Sequence, residues 1–453
     1  MKKFDVIIIC AGPSGMVVGT TIKMQNPEKS VLMIKEEDKG LVPCGIPYVF
    51  NRLATVDKNV MGTKPFSDIS GTVIVDPAVD ADLAKKTVTC KSGDTYAFDK
   101  LIFATGSTPI IPTFIPGYDL DGVQYIRKSY SYIKQLKDKT DEAKNIVIVG
   151  GGFIGAEVAE EIASNADKTV SLIESQPYCF NRAFSGELSR IATDKLRETR
   201  VNVHTSTLVK EVSGENGKVT GVKLDNGKHI KADIVIMSIG YKPNTDVARK
   251  AGLELNAEGA IVVDNFERTS VKDVCAIGDC SQTKGFITGR TDNIMLASTA
   301  TAEARVLGYN LFGVIIKRCF VGTLGVFSTE INGLSMAAAG VNENNGREGN
   351  IKFISSEFSD FNTHPAGFSD TSKLTVKLYA SPSDGSILGG EVWGGKSVGE
   401  IINIIGLAIQ KRVTIFELVS YQIGTHPLLT SPPTKYVLIK AAEGLINKLK
   451  AIA

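Results

Sequence analysis

The chain has 453 residues, of which 43% are hydrophobic and 22% charged, with a formal net charge of +2. That length exceeds what one hydrophobic core normally holds, so two or three domains are expected. The near-neutral balance, without a basic stripe of interleaved aromatics, gives no reason to expect a nucleic-acid partner. No apolar run approaches the roughly 20 residues needed to span a bilayer. Seven scattered cysteines argue against a secreted disulfide framework, and the cytoplasm is the expected compartment.

Met1-Lys2-Lys3-Phe4 leads straight into Asp5-Val6-Ile7-Ile8-Ile9, which reads as a buried parallel strand over 5–9. A helix over 13–25 and a strand over 30–34 follow. Between the first strand and the helix, Cys10-Ala11-Gly12-Pro13-Ser14-Gly15 keeps the second and third glycines of a dinucleotide fingerprint but has cysteine at the first. Gly12, Pro13, Ser14 and Gly15 are candidate cofactor-binding residues. Lys35 stands where an acidic residue is expected at the next strand end, with Glu36 one place later. Cys44 lies next along the chain, alone in Val42-Pro43-Cys44-Gly45-Ile46-Pro47-Tyr48. A strand over 101–106 ends in Thr105-Gly106, and Pro109 turns the chain away from the sheet.

The strand–helix–strand pattern recurs over 146–150, 153–164 and 169–173, an internal repeat of a nucleotide-binding half. Its fingerprint is complete: Gly150, Gly152 and Gly155, with Glu174 closing the second strand. The first glycine makes a tight turn, the second admits pyrophosphate to the backbone, and the third packs helix on strand. The helix N-terminus then presents unpaired N–H groups to the phosphates. An acidic residue at Glu174 suits ribose hydroxyls and repels a 2′-phosphate, so NADH is expected over NADPH. A further strand over 234–240 ends at Gly240, followed by Pro243. From about residue 325, alternating segments such as 374–379 and 387–392 suggest an antiparallel sheet. Helices are expected near 397–411, 414–420 and 432–449. The expected fold class is α/β, with two Rossmann-like dinucleotide-binding domains and a C-terminal α+β domain. The expected divisions are 1–112 with 256–324, 113–255, and 325–453.

These pieces together resemble the two-dinucleotide-binding flavoproteins, the pyridine nucleotide–disulfide oxidoreductase family. The resemblance implies FAD on the first loop, NADH on the second, and a homodimer built through the C-terminal domain. Thr105-Gly106 resembles the family's strand end beside FAD. Val274-Cys275-Ala276-Ile277-Gly278-Asp279 resembles its second FAD segment, with Asp279 on the ribityl hydroxyls. Ala297, in Leu296-Ala297-Ser298, resembles the start of the helix that faces the flavin pyrimidine. Phe153, next to Ile154 in the second loop, takes the place of an aromatic that covers the flavin until nicotinamide displaces it. Glu157 matches a helix glutamate near the nicotinamide carboxamide.

Cys44-Gly45-Ile46-Pro47-Tyr48 is similar to the single-cysteine branch of that family, which contains coenzyme A disulfide reductases, persulfide and polysulfide reductases, and NADH oxidases and peroxidases. Lys39 and Val49 occupy the positions where a second cysteine would fall, so the substrate must bring the second sulfur. A Cys44 thiolate, its pKa lowered by a helix start or the flavin environment, would attack a disulfide or sulfane sulfur. Oxidase and peroxidase relatives carry a histidine in the first loop where this chain has Pro13. The helix after that loop offers one lysine, Lys23, where coenzyme A-binding relatives carry arginines. Thr425-His426-Pro427 resembles a His-Pro that reaches the partner subunit's active site, although the supporting glutamate is Ser431 here. His426 and Tyr421 are the candidate acid–base groups. No spacing suggests a metal site. The leading expectation is an NADH-dependent reductase of a small disulfide, persulfide or polysulfide, with coenzyme A disulfide possible. The alternatives are an NADH oxidase or peroxidase working through a Cys44 sulfenic acid, and an NADH-binding redox sensor.

Overall fold

The β-branched runs become the centres of two parallel sheets in the computed structural model, which describes every residue except 293, 317, 318, 366 and 453. Strand β1 (Lys2–Ile9), helix α1 (Pro13–Gln25) and strand β2 (Val31–Lys35) form the first unit. Val6, Ile7 and Ile8 are wholly buried, which is why this strand is apolar on both faces. The sheet runs Thr72–Val75, β2, β1, Thr95–Phe103, Thr87–Cys90, Ala78–Asp82. Thr95–Phe103 is longer than the expected 101–106 run because, besides pairing with β1, its other edge serves two neighbours. Its first half pairs antiparallel with Thr87–Cys90, and its second half pairs parallel with the distant Val274–Ala276.

The second unit is β3 (Asn145–Val149), α2 (Phe153–Ala163) and β4 (Thr169–Ile173). Its parallel sheet runs Val123–Tyr125, Ile234–Met237, β3, β4, Val201–His204. The chain crosses between the two units on paired strands, Ser107–Pro109 outward and Tyr241–Pro243 on return. The return falls earlier than the expected residue 256. Ala248 and Leu253 are buried in the same core as Phe4 and Phe98, so the segment after Pro243 already belongs to the first unit.

The C-terminal sheet is antiparallel, in the order Phe327–Ile331, Leu334–Gly340, Ile387–Gly394, Lys373–Ala380, Ile354–Phe361. Helices Val398–Gln410, Ile415–Val419 and Val437–Ile452 close its apolar face. The last helix begins after the expected 432 because Pro432 and Pro433 lack backbone N–H groups; a 3-10 turn, Pro433–Lys435, precedes it. No helix among the described residues is long and apolar enough to cross a membrane.

Candidate active site

The two glycine loops are built alike. Cys10 N–H donates to Ile34 O at 2.7 Å, and Gly150 N–H donates to Ile173 O at 2.8 Å. Gly12 and Gly152 are the N-caps of α1 and α2, with no side-chain cap on the first-turn N–H groups. A Cβ added at either would meet nothing within 4 Å, so both helix starts open onto space. That space and those unpaired donors fit a dinucleotide pyrophosphate at each loop. A Cβ at Gly15 would lie 2.3 Å from Cys10 O, and one at Gly155 would lie 1.9 Å from Gly150 O. Pro13 sits in the first turn of α1, where its missing N–H costs nothing.

Cys10 has φ +89°, in the same left-handed region as Gly150 at +108°. The cysteine therefore adopts the glycine conformation, at a strain on the order of 1 kcal/mol. Its thiol is pushed up by burial, and the charge of Glu36, just beyond β2, adds to the rise. Lys35 is buried and bonded to Asp38 O. In the second unit Glu174 accepts from Gly151 N–H at 2.6 Å and from Gln176 N–H at 2.7 Å. Its carboxylate is thus held against the loop a nucleotide ribose would approach.

Gly106 and Gly240 both take positive φ, +67° and +117°, at the strand ends beside the crossing. Thr105 is committed to that crossing: its hydroxyl donates to Asn244 O at 2.5 Å. Buried Ser14 lies against Gly278, where a Cβ would come within 2.9 Å of its Oγ. Asp279 follows Gly278 and accepts from Ser107 Oγ and Lys128 Nζ, each at 2.7 Å. Behind it, Glu303 is buried and accepts from Gly278 N–H at 2.7 Å. Ala297 opens its helix, and Leu296 provides no side-chain cap, which leaves that N-terminus free to face an anionic group. Together these features fit FAD on the first unit.

Cys44 lies in a 3-10 turn, Pro43–Gly45, and is exposed. The turn is rigid on its inner side. A Cβ at Gly45 would lie 2.0 Å from Asn59 Oδ1, and buried Asn59 donates to Val42 O at 3.0 Å. Ile46, Val49 and Phe50 anchor the next turn in the largest core cluster. The expectation of a lowered thiol pKa is not met in the protein alone. Desolvation by the surrounding walls and the Glu157 carboxylate push the Cys44 thiol up, and Lys128 opposes them.

Phe153 stacks on Phe327, with centroids 5.4 Å apart, and meets Phe180 edge-on at 5.3 Å. Glu157 accepts from Thr329 Oγ1 at 2.8 Å; burial raises its carboxyl to about 7. Ile154 packs partly buried against the same core. Nearby, Arg52 ties the three bodies together. Its guanidinium meets Glu161 of α2 at 2.8 Å and Glu330 of the C-terminal sheet at 3.3 Å. His426 is exposed, and its Nδ1 accepts from Leu428 N–H at 3.2 Å, which leaves Nε2 to carry the proton. Tyr421 is 49% exposed. Among the described residues neither is hydrogen-bonded to Cys44 in its own chain.

Lys128, Ser107, Arg52 and Thr329 were not singled out by sequence. Each lies beyond a motif, on a strand end or in another domain, and only the tertiary fold brings it in. No group of three or more His, Cys, Asp or Glu among the described residues could hold a metal ion.

Two looped Rossmann units, a lone exposed thiol and an antiparallel third domain define a two-dinucleotide flavoprotein oxidoreductase. The chain belongs to the pyridine nucleotide-disulphide oxidoreductase family, whose model matches residues 4–304, and that family's dimerisation domain matches 327–436. It is an enzyme that takes FAD and NADH. It is 32% identical to an NAD(P)H coenzyme A polysulfide/persulfide reductase of Pyrococcus horikoshii, over 76% of this chain and 77% of that protein. It is 28% identical to an NADH oxidase of Methanocaldococcus jannaschii, over 98% of this chain and 99% of that protein. Among solved structures it matches an NAD-dependent persulfide reductase from A. fulgidus at a TM-score of 0.90 and 27% identity, covering 99% of this chain and 84% of that one.

Proposed function

We propose that this enzyme reduces a small disulfide, persulfide or polysulfide at Cys44, as a homodimer of the cytoplasm. The observation that carries the reading is the exposed thiol of Cys44 on a rigid turn, with no second cysteine in its motif. Bound FAD, with NADH as donor, supplies the two electrons that the thiol chemistry consumes. The Cys44 thiolate attacks one sulfur of R–S–S–R; a Cys44–S–S–R bond forms and R–S⁻ leaves. Two electrons and a proton then return Cys44 to the thiolate and release R–SH. With a persulfide, the same steps release hydrosulfide. His426, reaching across the dimer, presents Nε2–H, which donates a hydrogen bond that stabilises the departing thiolate. Gly12 to Gly15 and Gly150 to Gly155 hold the two pyrophosphates, and Asp279 and Ala297 position the ribityl chain and ring. Glu36 and Glu174 serve the riboses.

The test is stopped-flow reoxidation of the NADH-reduced enzyme. Disulfide or sulfane sulfur is expected to reoxidise it faster than oxygen or peroxide does, and Cys44→Ser should abolish that turnover. The second reading, an NADH oxidase, is favoured by the near full-length similarity to the Methanocaldococcus protein. Against it, Pro13 supplies no imidazole for a sulfenic acid. Faster reoxidation by oxygen or peroxide would put that reading first.

A further inference from the structure

The chain after Glu174 lies directly on the second glycine loop. Phe180 N–H donates to Gly151 O at 2.9 Å, and a Cβ added at Gly151 would come within 2.9 Å of Cys179 Sγ. Phe180 holds φ +60° there, a left-handed conformation that a bulky side chain keeps only when its surroundings impose it. Its ring meets that of Phe153, the first residue of α2, edge-on. The position of this segment therefore fixes one wall of the loop proposed to hold the NADH pyrophosphate.

What imposes it comes from the C-terminal domain. Asn344 Nδ2 donates to Asn181 O at 3.2 Å and to Phe184 O at 3.0 Å, and Asn342 Nδ2 donates to Ala183 O at 3.0 Å. Ser185, buried at the N-cap of the helix Gly186–Arg197, donates its backbone N–H to Glu391 Oε1 at 2.6 Å. Four backbone groups between 181 and 185 thus find partners on another domain. Glu391 is wholly buried on the central strand of the antiparallel sheet, with Ala338 and Lys377 as its cross-strand neighbours. The Tyr379 hydroxyl donates to its Oε2 at 2.8 Å, so both carboxylate oxygens are committed. Beside it, Lys377 Nζ lies 3.0 Å from Glu187, in the first turn of that helix, and 2.9 Å from Glu343. A carboxylate buried this deeply costs free energy that an apolar side chain would not, and the N–H it holds explains its place.

We propose that Glu391 is a positioning residue for NADH: from the C-terminal domain it holds the segment 179–185 against the second glycine loop, so the dinucleotide site is complete only with that domain docked. The proposal rests on the reading of Gly150 to Gly155 as the NADH cradle. Asn344 shares the task from the helix Glu343–Glu348. FAD, on the first unit, lies outside this contact, so flavin content should not depend on it.

The experiment is anaerobic stopped-flow reduction of the FAD-loaded enzyme by NADH, read as loss of flavin absorbance across a range of NADH concentrations. It needs no electron acceptor, and it separates half-saturation from limiting rate. Glu391→Leu removes the acceptor, Glu391→Gln keeps a carbonyl oxygen for Ser185 N–H, and Asn344→Leu removes the bonds to Asn181 O and Phe184 O. Val376→Ala, in the core on the helix-covered face of the same sheet, is the control for general loosening of the domain. Glu391→Leu is expected to raise half-saturating NADH about tenfold, with limiting rate and flavin content little changed. Glu391→Gln and Val376→Ala should stay close to the unaltered chain. Asn344→Leu should move in the same direction as Glu391→Leu, and it decides the matter if Glu391→Leu does not fold. An unchanged half-saturation in the deciding variant would overturn the proposal. So would an equal rise in Val376→Ala, which would make the effect one of stability alone. Gly155→Ala keeps the two readings apart: if it too leaves half-saturation unchanged, the cradle assignment has failed and not only the role of Glu391.

Discussion

Single residues carry two sharp expectations. The third glycine of each loop faces a carbonyl oxygen that belongs to backbone, and backbone cannot swing aside as a side chain can. Gly15→Ala is therefore expected to yield enzyme without bound flavin, seen as loss of visible absorbance. Gly155→Ala should keep the flavin and raise the KM for NADH about tenfold or more. Glu303 carries the second. It and Glu267 are both 2% exposed, and each is raised first by burial; Glu303 also acts on Glu267. Glu303 is pushed up from 4.5 to about 8, so the folded protein holds this proton more tightly than the unfolded chain does. The stability it contributes is complete below about 4.5, declines as pH rises, and is gone above about 8. Glu303→Gln keeps a carbonyl to accept from Gly278 N–H. It should flatten that decline when unfolding midpoints are measured across the same window, and an unaltered slope would remove Glu303 from the account.

At the scale of elements, the parallel units were legible because their strands are buried on both faces and their loops need glycine. α1, β3, α2 and β4 fall within a residue of the expected spans, and β1 ends where expected but starts three residues earlier. What stayed hidden was pairing between distant segments. Nothing local marks Val274–Ala276 as the neighbour of Thr95–Phe103, or says that Ala248 returns to the first core. The same blindness concealed Arg52, whose partners lie in α2 and in Phe327–Ile331. The Glu161 side chain is only 1% exposed, and Arg52 gives it both a backbone N–H at 2.8 Å and the guanidinium. Arg52→Met keeps the N–H but leaves a buried carboxylate without its cation. It is expected to destabilise the enzyme by about 2 kcal/mol, read as a lower unfolding midpoint. Restoration by Arg52→Lys would show that charge matters more than the forked geometry.

For the whole molecule, the C-terminal domain leaves an apolar fringe uncovered in the single chain. Leu407 is 58% exposed, Phe416 50%, Leu428 51% and Leu429 70%. Several lie in the segment that carries Tyr421 and His426, and the chain matches the family's dimerisation domain through residue 436. The sequence named those two residues but could not place them, since the role proposed for them depends on a surface that a second copy would supply. Within one chain the His426 ring accepts from Leu428 N–H, and its backbone N–H donates to Thr430 Oγ1. If the fringe closes on a partner, burying Leu428 and Leu429 contributes about 1.5–3 kcal/mol for each side chain fully covered. Leu429→Asp replaces that gain with the cost of burying a carboxylate. The variant is expected to sediment as a monomer while keeping its flavin and the thiol reactivity of Cys44, both of which reside within one chain. Its disulfide turnover should fall in parallel with the dimer fraction and recover at high protein concentration. Full turnover in a proven monomer would confine the acid–base chemistry to one subunit and remove His426 from it.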